Sequence, residues 1–246
     1  MNANITLQDG TPAYFTHPDG SKTPAIVLIH EIWGLADHIK DVANRLRTEG
    51  YAVLAPNLFA GTSFTGKVDQ TILNEMANPA TRDEAQKKMR EIFAPTRSPE
   101  FAEEMIKKLK TCFNFLFNEV HTNGQIAVVG FCFGGTFSFA LAIHEPRLKA
   151  AVVFYGRPPE PLDQVAKIQC PILAFYGEKD SALVEPLPRL NDAMRTYKKN
   201  FEYVIYPGTG HAFFNDTNLK MYNKDAAEDS WKRTLILLNK HFQPTG

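Results

Sequence analysis

Six short apolar runs recur along the 246-residue chain: Ala25–His30, Tyr51–Ala55, Ile126–Phe131, Ala150–Tyr155, Ile172–Tyr176 and Phe201–Tyr206. Each is rich in β-branched and aromatic side chains, and runs this short and apolar read as strands buried on both faces. The intervening segments carry helical periodicity at Ile39–Arg47, Glu100–Glu119, Thr136–His144 and Leu187–Tyr197, and Asp225–Phe242 closes the series. Strands that alternate with helices need crossover connections. The expected architecture is therefore α/β, with a mostly parallel central sheet and helices on both faces. Asn4–Leu7 and Thr11–His17, joined through Asp9-Gly10, read as an antiparallel hairpin that forms one sheet edge.

No repeat, low-complexity tract or domain-splitting linker interrupts this pattern, so residues 1–246 read as one domain. The stretch 61–99 stands apart, with a Gly/Thr/Ser-rich loop, a charged helical piece at Arg82–Phe93 and the breaker Ala94-Pro95-Thr96-Arg97-Ser98-Pro99. A long excursion leaving the carboxyl end of a strand is expected to lie over a site as a lid.

Charge enters the argument through its balance. With 27 Lys+Arg against 27 Asp+Glu, the chain has no basic excess to neutralise a phosphate backbone, and nucleic acid is not an expected partner. No apolar run approaches the ~18 residues of a membrane span, and MNANITLQDG lacks the basic and apolar regions of a signal peptide. Three cysteines are too few for a disulfide framework and odd in number, which suits a reducing, cytoplasmic setting. The expected partner is a small molecule, and the expected assembly is a monomer or small homo-oligomer.

The most informative motif is Gly130-Phe131-Cys132-Phe133-Gly134-Gly135, which follows an apolar strand and opens a helical pattern. It matches the nucleophile elbow G-x-S-x-G with Cys in place of Ser. The turn forces its central residue into strain, so the residues two before and two after must be small. Cys132 would then sit at a helix N-terminus, where unpaired N–H groups favour a thiolate and the Phe133 N–H can hold an oxyanion. Downstream, the strand ending at Tyr176 leads into Gly177-Glu178-Lys179-Asp180, and the strand ending at Tyr206 leads into Pro207-Gly208-Thr209-Gly210-His211. Taken singly, Asp180 reads as a helix N-cap and His211 as a solvated loop residue. Together they follow Cys132 in the order nucleophile, acid, base, each just beyond a strand's carboxyl end, which is the chain order of α/β-hydrolase triads.

The strand Ala25–Ile29 runs into His30-Glu31-Ile32-Trp33-Gly34. In such a fold the loop after this strand supplies the second oxyanion N–H, here assigned to Ile32. Glu31 reads either as a carboxylate beside the thiol or as a hydrogen-bonded structural group. Trp33 and Tyr155, with Phe133 and Phe213, read as walls of an aromatic pocket or as core. Cys112 and Cys170 read as small buried hydrophobes. The remaining histidines, at 17, 30, 38, 121, 144 and 241, show no metal-ligand spacing.

The combination of His-Glu-Ile-Trp-Gly, Gly-Phe-Cys-Phe-Gly-Gly, the Asp after Gly-Glu-Lys, and Gly-His-Ala-Phe resembles the dienelactone hydrolase (carboxymethylenebutenolidase) family over roughly residues 10–242. The resemblance implies an α/β-hydrolase fold, a Cys132-Asp180-His211 triad, no cofactor or metal, and a small ester or lactone substrate. It also implies that Glu31 exchanges partners when substrate binds and helps deprotonate the thiol. Members of the family hold a substrate carboxylate with two arginines. One corresponds to Arg82, with Arg90 and Arg97 as rivals, and the other would fall four residues after His211, where this chain has Asn215. A general carboxylesterase or thioesterase is the neighbouring reading. A ligand-binding protein or thiol redox sensor on a hydrolase fold is the reading from another class.

Overall fold

The apolar runs become strands where the periodicity places them. In the computed structural model these are β1 (Asn2–Thr6), β2 (Pro12–Thr16), β3 (Thr23–Ile29), β4 (Ala52–Pro56), β5 (Thr122–Phe131), β6 (Ala150–Phe154), β7 (Ile172–Gly177) and β8 (Phe201–Tyr206). The structure describes residues 2–20, 22–62, 71, 72, 75, 78 and 80–242. The eight strands form one sheet in the order β1-β2-β4-β3-β5-β6-β7-β8. The hairpin β1/β2 and the β2/β4 pair are antiparallel, and every pairing from β4 through β8 is parallel.

The helices are α1 (Asp37–Thr48), α2 (Arg82–Phe93), α3 (Pro99–Asn118), α4 (Phe133–His144), α5 (Leu187–Thr196) and α6 (Lys224–His241). On one face α1 and α6 meet, with the Arg45 guanidinium over the Trp231 ring and the Tyr51 hydroxyl donating to Asn239 Oδ1. On the other face α3 and α4 pack on β5, where the ring of Phe101 meets those of Phe133 and Phe137. Side-chain caps set two of the starts: Ser98 Oγ accepts the Phe101 N–H before α3, and Asn223 Oδ1 accepts the Ala226 N–H before α6.

Strands β3 to β7 are buried on both faces because helices cover both. Each aliphatic side chain so buried contributes about 1.5–3 kcal/mol. Beneath the carboxyl ends of β5 and β6 lies an aromatic cluster, with Phe131 stacked on Phe154 at 4.4 Å between centroids and Phe214 against both. It gives the site above it a floor with little freedom to shift.

Among the boundaries that differ from expectation by a few residues, two have clear local reasons. Helix α4 starts at Phe133 rather than Thr136, because the elbow turns the chain into helix immediately after Cys132 despite the low helix propensity of Gly134 and Gly135. Strand β5 begins four residues before Ile126, because Thr122 pairs with Thr23 of β3. Part of the expected lid, including residues 63–70, lies outside the described residues, as do the side chains of Arg82, Arg90 and Arg97. The backbone of Arg82 opens α2.

The chain reaches β4 on one side of β3 and then crosses to β5 on the other. Where strand order reverses in this way, the loops at the carboxyl ends diverge and leave a crevice. The loops after β3 and β5 flank it.

Candidate active site

The backbone at the end of β5 is forced. Cys132 has φ 55° and ψ −112°, a conformation that L-residues avoid, and two bonds hold it there. Its N–H donates to the Phe154 carbonyl at 2.9 Å, and its carbonyl accepts the Thr136 N–H at 3.1 Å. A Cβ on Gly130 would collide with the Gly134 carbonyl, and one on Gly134 would collide with the carbonyl of Ile29. Both glycines are therefore required by close approach, two residues to either side of the cysteine.

The His30 imidazole shapes the loop after β3. Fully buried, it is held down at a pKa of about 4 by desolvation, against the ordinary 6.5. The neutral ring fits one tautomer: Nδ1–H donates to the Glu31 carbonyl at 2.6 Å, and Nε2 accepts the Leu58 N–H at 3.1 Å. The His30 carbonyl accepts the Gly134 N–H at 3.1 Å, tying this loop to the first turn of α4. Ile32 and Phe133, the two expected oxyanion donors, sit on the two segments joined by this bond. Among the described residues neither N–H donates to another group.

Asp180 precedes a single helical turn at Ser181–Val184, but its side chain does not cap that turn. Its Oδ2 instead accepts from His211 Nδ1 at 2.5 Å. The opposite ring nitrogen, Nε2, lies 3.1 Å from Cys132 Sγ. Burial alone would lower the His211 pKa. Hydrogen bonds to Asp180 and Cys132, with their charges, outweigh burial and raise it to about 10. The loops after β5, β7 and β8 thus deliver a thiol, a carboxylate and an imidazole in one hydrogen-bonded line. Such a line can move a proton from sulfur to nitrogen and hold the resulting positive charge.

Glu31 is buried at 4% exposure and does not bond the thiol. Its Oε1 accepts from the Tyr155 hydroxyl at 3.2 Å, and its Oε2 accepts from Asn215 Nδ2 at 2.8 Å. Asn215 is fixed in turn, since its Oδ1 accepts both the N–H and the hydroxyl of Thr217. Position 215 therefore presents a neutral donor to a buried carboxylate. Burial, then the nearby charges of Glu31 and Cys132, push the Tyr155 phenol well above its usual range, so it remains a donor. Tyr155 is 1% exposed, which puts it behind Glu31 and edge-on to Phe213 rather than at an open wall. Phe133 is buried against His30, Phe59 and Phe137. Trp33 is 45% exposed and lies at the surface.

Sequence reasoning singled out neither His30 nor Asn215 for these roles. In the sequence His30 reads only against metal-ligand spacing, and Asn215 only as the place where the family has an arginine. The His-Glu pair at the end of β3 was the available signal for the first, and nothing local signalled the second. Cys112 and Cys170 are buried, and burial raises both thiols, Cys170 to about 12. Among the described residues no group of three His, Cys, Asp or Glu side chains could hold a metal ion, and no helix is long and apolar enough to cross a membrane.

Comparison with known proteins adds an independent line. The model of the dienelactone hydrolase family matches residues 11–242. A candidate carboxymethylenebutenolidase of Saccharolobus solfataricus is 37% identical over 245 residues, covering 93% of each chain. Another, from Methylorubrum extorquens, is 32% identical over 243 residues, covering 93% of this chain and 77% of its own. Among solved structures, a candidate dienelactone hydrolase from Klebsiella pneumoniae superposes with a TM-score of 0.78 at 26% identity, covering 98% of both chains.

Proposed function

From the premise that the chain belongs to the dienelactone hydrolase family, we propose that it hydrolyses a small ester or lactone through Cys132 and an acyl-thioester intermediate. The observation that carries this reading is the unbroken contact from Cys132 Sγ through His211 to Asp180.

In the first half-reaction the proton on the Cys132–His211 contact rests on His211 Nε2, whose proton affinity the Asp180 carboxylate and the Cys132 sulfur raise, so the attacking group is the thiolate of a thiolate–imidazolium pair. The sulfur attacks the acyl carbon. The oxygen of the tetrahedral intermediate takes hydrogen bonds from the N–H groups of Phe133 and Ile32, which the glycine-enforced turn and His30 hold ready in advance. The carbon–oxygen bond then breaks and leaves an acyl-thioester. An enolate or phenolate departs unprotonated and the imidazolium then gives its proton to the released anion or to solvent, whereas a more basic alkoxide takes that proton as it leaves, so His211 is neutral in the acyl-thioester. In the second half-reaction His211 accepts a proton from water, hydroxide adds to the thioester carbon, and the carbon–sulfur bond breaks to release the acid and the Cys132 thiol. Asp180 keeps the His211 Nδ1 proton in place throughout and stabilises the imidazolium.

Glu31 rests on Tyr155 and Asn215, poised beside this line but not in it. Substrate that disturbs the Asn215 bond would free the carboxylate to turn toward the thiol. With a neutral amide at 215, this position offers no cation to a substrate carboxylate.

Turnover of activated aryl esters and of lactones tests the reading. Cys132→Ala should abolish it, and a slowly hydrolysed ester should leave an acyl adduct on Cys132 in the wild-type protein by mass spectrometry. Undiminished turnover in the variant would overturn the assignment.

A further inference from the structure

Outside the triad, one largely buried ammonium sits where backbone carbonyls lack donors. In the turn that follows β4, the Asn57 carbonyl accepts the Ala60 N–H at 3.2 Å and the Phe59 carbonyl accepts the Thr62 N–H at 3.0 Å. Among the described residues no backbone N–H reaches the alternate carbonyls, those of Leu58 and Ala60. Lys108 of α3 serves both. Its Nζ donates to the Leu58 carbonyl at 3.1 Å and to the Ala60 carbonyl at 3.0 Å, and it pairs with Glu104 Oε1 at 3.1 Å. The three N–H donors of an ammonium thus match three acceptors in number. The lysine side chain is only 14% exposed, so these charge-assisted bonds hold the turn mostly out of water.

The same turn bears on both residues whose N–H groups are assigned to the oxyanion. On one side the Leu58 N–H donates to His30 Nε2 at 3.1 Å, and His30 Nδ1–H donates to the Glu31 carbonyl at 2.6 Å. That carbonyl and the Ile32 N–H belong to one planar trans peptide, in which they point in opposite directions. Fixing the carbonyl therefore aims the N–H. On the other side the Phe59 ring lies 4.9 Å from the Phe133 ring and 4.9 Å from the His30 ring, between centroids. Phe133 is the first residue of α4, so this contact seats the segment that carries the other N–H.

We propose that Lys108 is a positioning residue for the oxyanion-binding N–H groups of Ile32 and Phe133, acting through Leu58, Phe59 and His30. This rests on the ester-hydrolase reading above. Without the ammonium, the Leu58 and Ala60 carbonyls must find other donors, and the turn shifts, taking the His30 and Phe133 rings with it. Oxyanion donors work by being in place before charge develops, and a misplacement of about 1 Å costs up to about a hundredfold in rate. No hydrogen bond joins Lys108 or Leu58 to Cys132, His211 or Asp180, so the reactivity of the thiol itself should be spared.

Two reactions of Cys132 separate positioning from general damage. Acylation by 4-nitrophenyl acetate builds charge on the carbonyl oxygen and needs the N–H donors. Alkylation by iodoacetamide forms a carbon–sulfur bond as iodide leaves, builds no charge on oxygen, and reports only the folded, reactive thiol. With both adducts located on Cys132 by mass spectrometry, the acylation-to-alkylation rate ratio should fall about tenfold in Lys108→Met, a tenth of the largest loss expected from a misplaced group. Phe59→Leu removes the ring that seats the turn but leaves the ammonium bonds, and should lower the same ratio about threefold. Using the ratio within each variant cancels a general loss of folded protein. A ratio unchanged in Lys108→Met would overturn the proposal, as would a ratio unchanged in Phe59→Leu where the methionine variant does not fold. Failure of the ester-hydrolase reading has a different signature: the wild type would form no acyl adduct on Cys132 although iodoacetamide still alkylates it. That result overturns both, whereas an adduct with an unchanged ratio removes only the role of Lys108.

Discussion

Two histidines at the ends of two strands carry opposite electrostatic histories. His30, after β3, is fully buried among neutral partners, and desolvation holds its pKa near 4. His211, after β8, is also taken partly out of water, yet the carboxylate and thiol on its two nitrogens raise its pKa to about 10. The residue type is the same, and the difference lies in what each nitrogen faces. A carbonyl and an N–H suit a neutral ring, whereas a carboxylate and a thiol favour a positive one. The contrast separates a histidine that shapes backbone from one that can exchange a proton during turnover.

The strongest way to break this comparison is Asp180→Asn. Removing the carboxylate should bring the His211 pKa down toward 6.5 and reduce kcat by about ten-thousandfold, as loss of the orienting acid does in other triads. Steady-state rates across pH would check both parts. An unshifted profile would mean that Asp180 does not set the proton affinity of His211.

Next in size is His30→Leu, which leaves the buried Leu58 N–H and Glu31 carbonyl without their partner. Unsatisfied buried groups cost about 1–3 kcal/mol each, so chemical denaturation should show a loss of about 2–4 kcal/mol. The acyl transfer rate should fall as well, because the Ile32 N–H loses its support. Rescue of stability but not rate by a second-site stabilising change would place His30 in positioning. Intact rates in the destabilised variant would confine it to stability.

Asn215→Leu comes third, with a stability cost of about 1–3 kcal/mol from a buried carboxylate that has lost one donor. Its more telling effect should be a changed pH profile of thiol alkylation at Cys132, since Glu31 would rest on Tyr155 alone. An unaltered profile would separate Glu31 from the thiol.

The pH dependence of stability sharpens the comparison by sign. For His30 the unfolded chain takes a proton below about 6.5 while the folded ring resists until about 4, so stability should fall as pH drops through that window and level off below it. For His211 the folded pKa lies above the unfolded one. Its contribution should be complete below about 6.5 and be lost as pH rises toward about 10. Thermal melts across pH should show a shallower acid limb in His30→Leu and a shallower alkaline limb in Asp180→Asn. The reverse assignment would refute the contrast. Trp33→Ala, at an exposed position, should change stability by less than about 0.5 kcal/mol.

Much of this was legible along the chain because it is local. The alternation of apolar runs and helical periods implied the parallel sheet, and the hairpin at Asp9-Gly10 indicated its antiparallel edge. The elbow was readable because its requirements fall within six consecutive residues, Gly130 to Gly135. The order Cys132, Asp180, His211 was readable because each follows a recognisable strand. The Asp180 side chain was harder to place, since a carboxylate before a helical turn has two uses and only the approach of His211 decides between them.

By itself, then, the sequence determined the alternating architecture, the strained turn at Cys132 and the chain order of the groups around it, because these depend on backbone conformation set by near neighbours. The tertiary structure alone decided which groups meet. Asn215 reaches Glu31 across 184 positions, and Cys132 reaches His211 across 79. It also decided that His30 stays neutral while His211 favours the protonated ring. Proton affinity and charge complementarity depend on distance and burial in space, and no spacing along a chain encodes them until the sheet has brought its loops together.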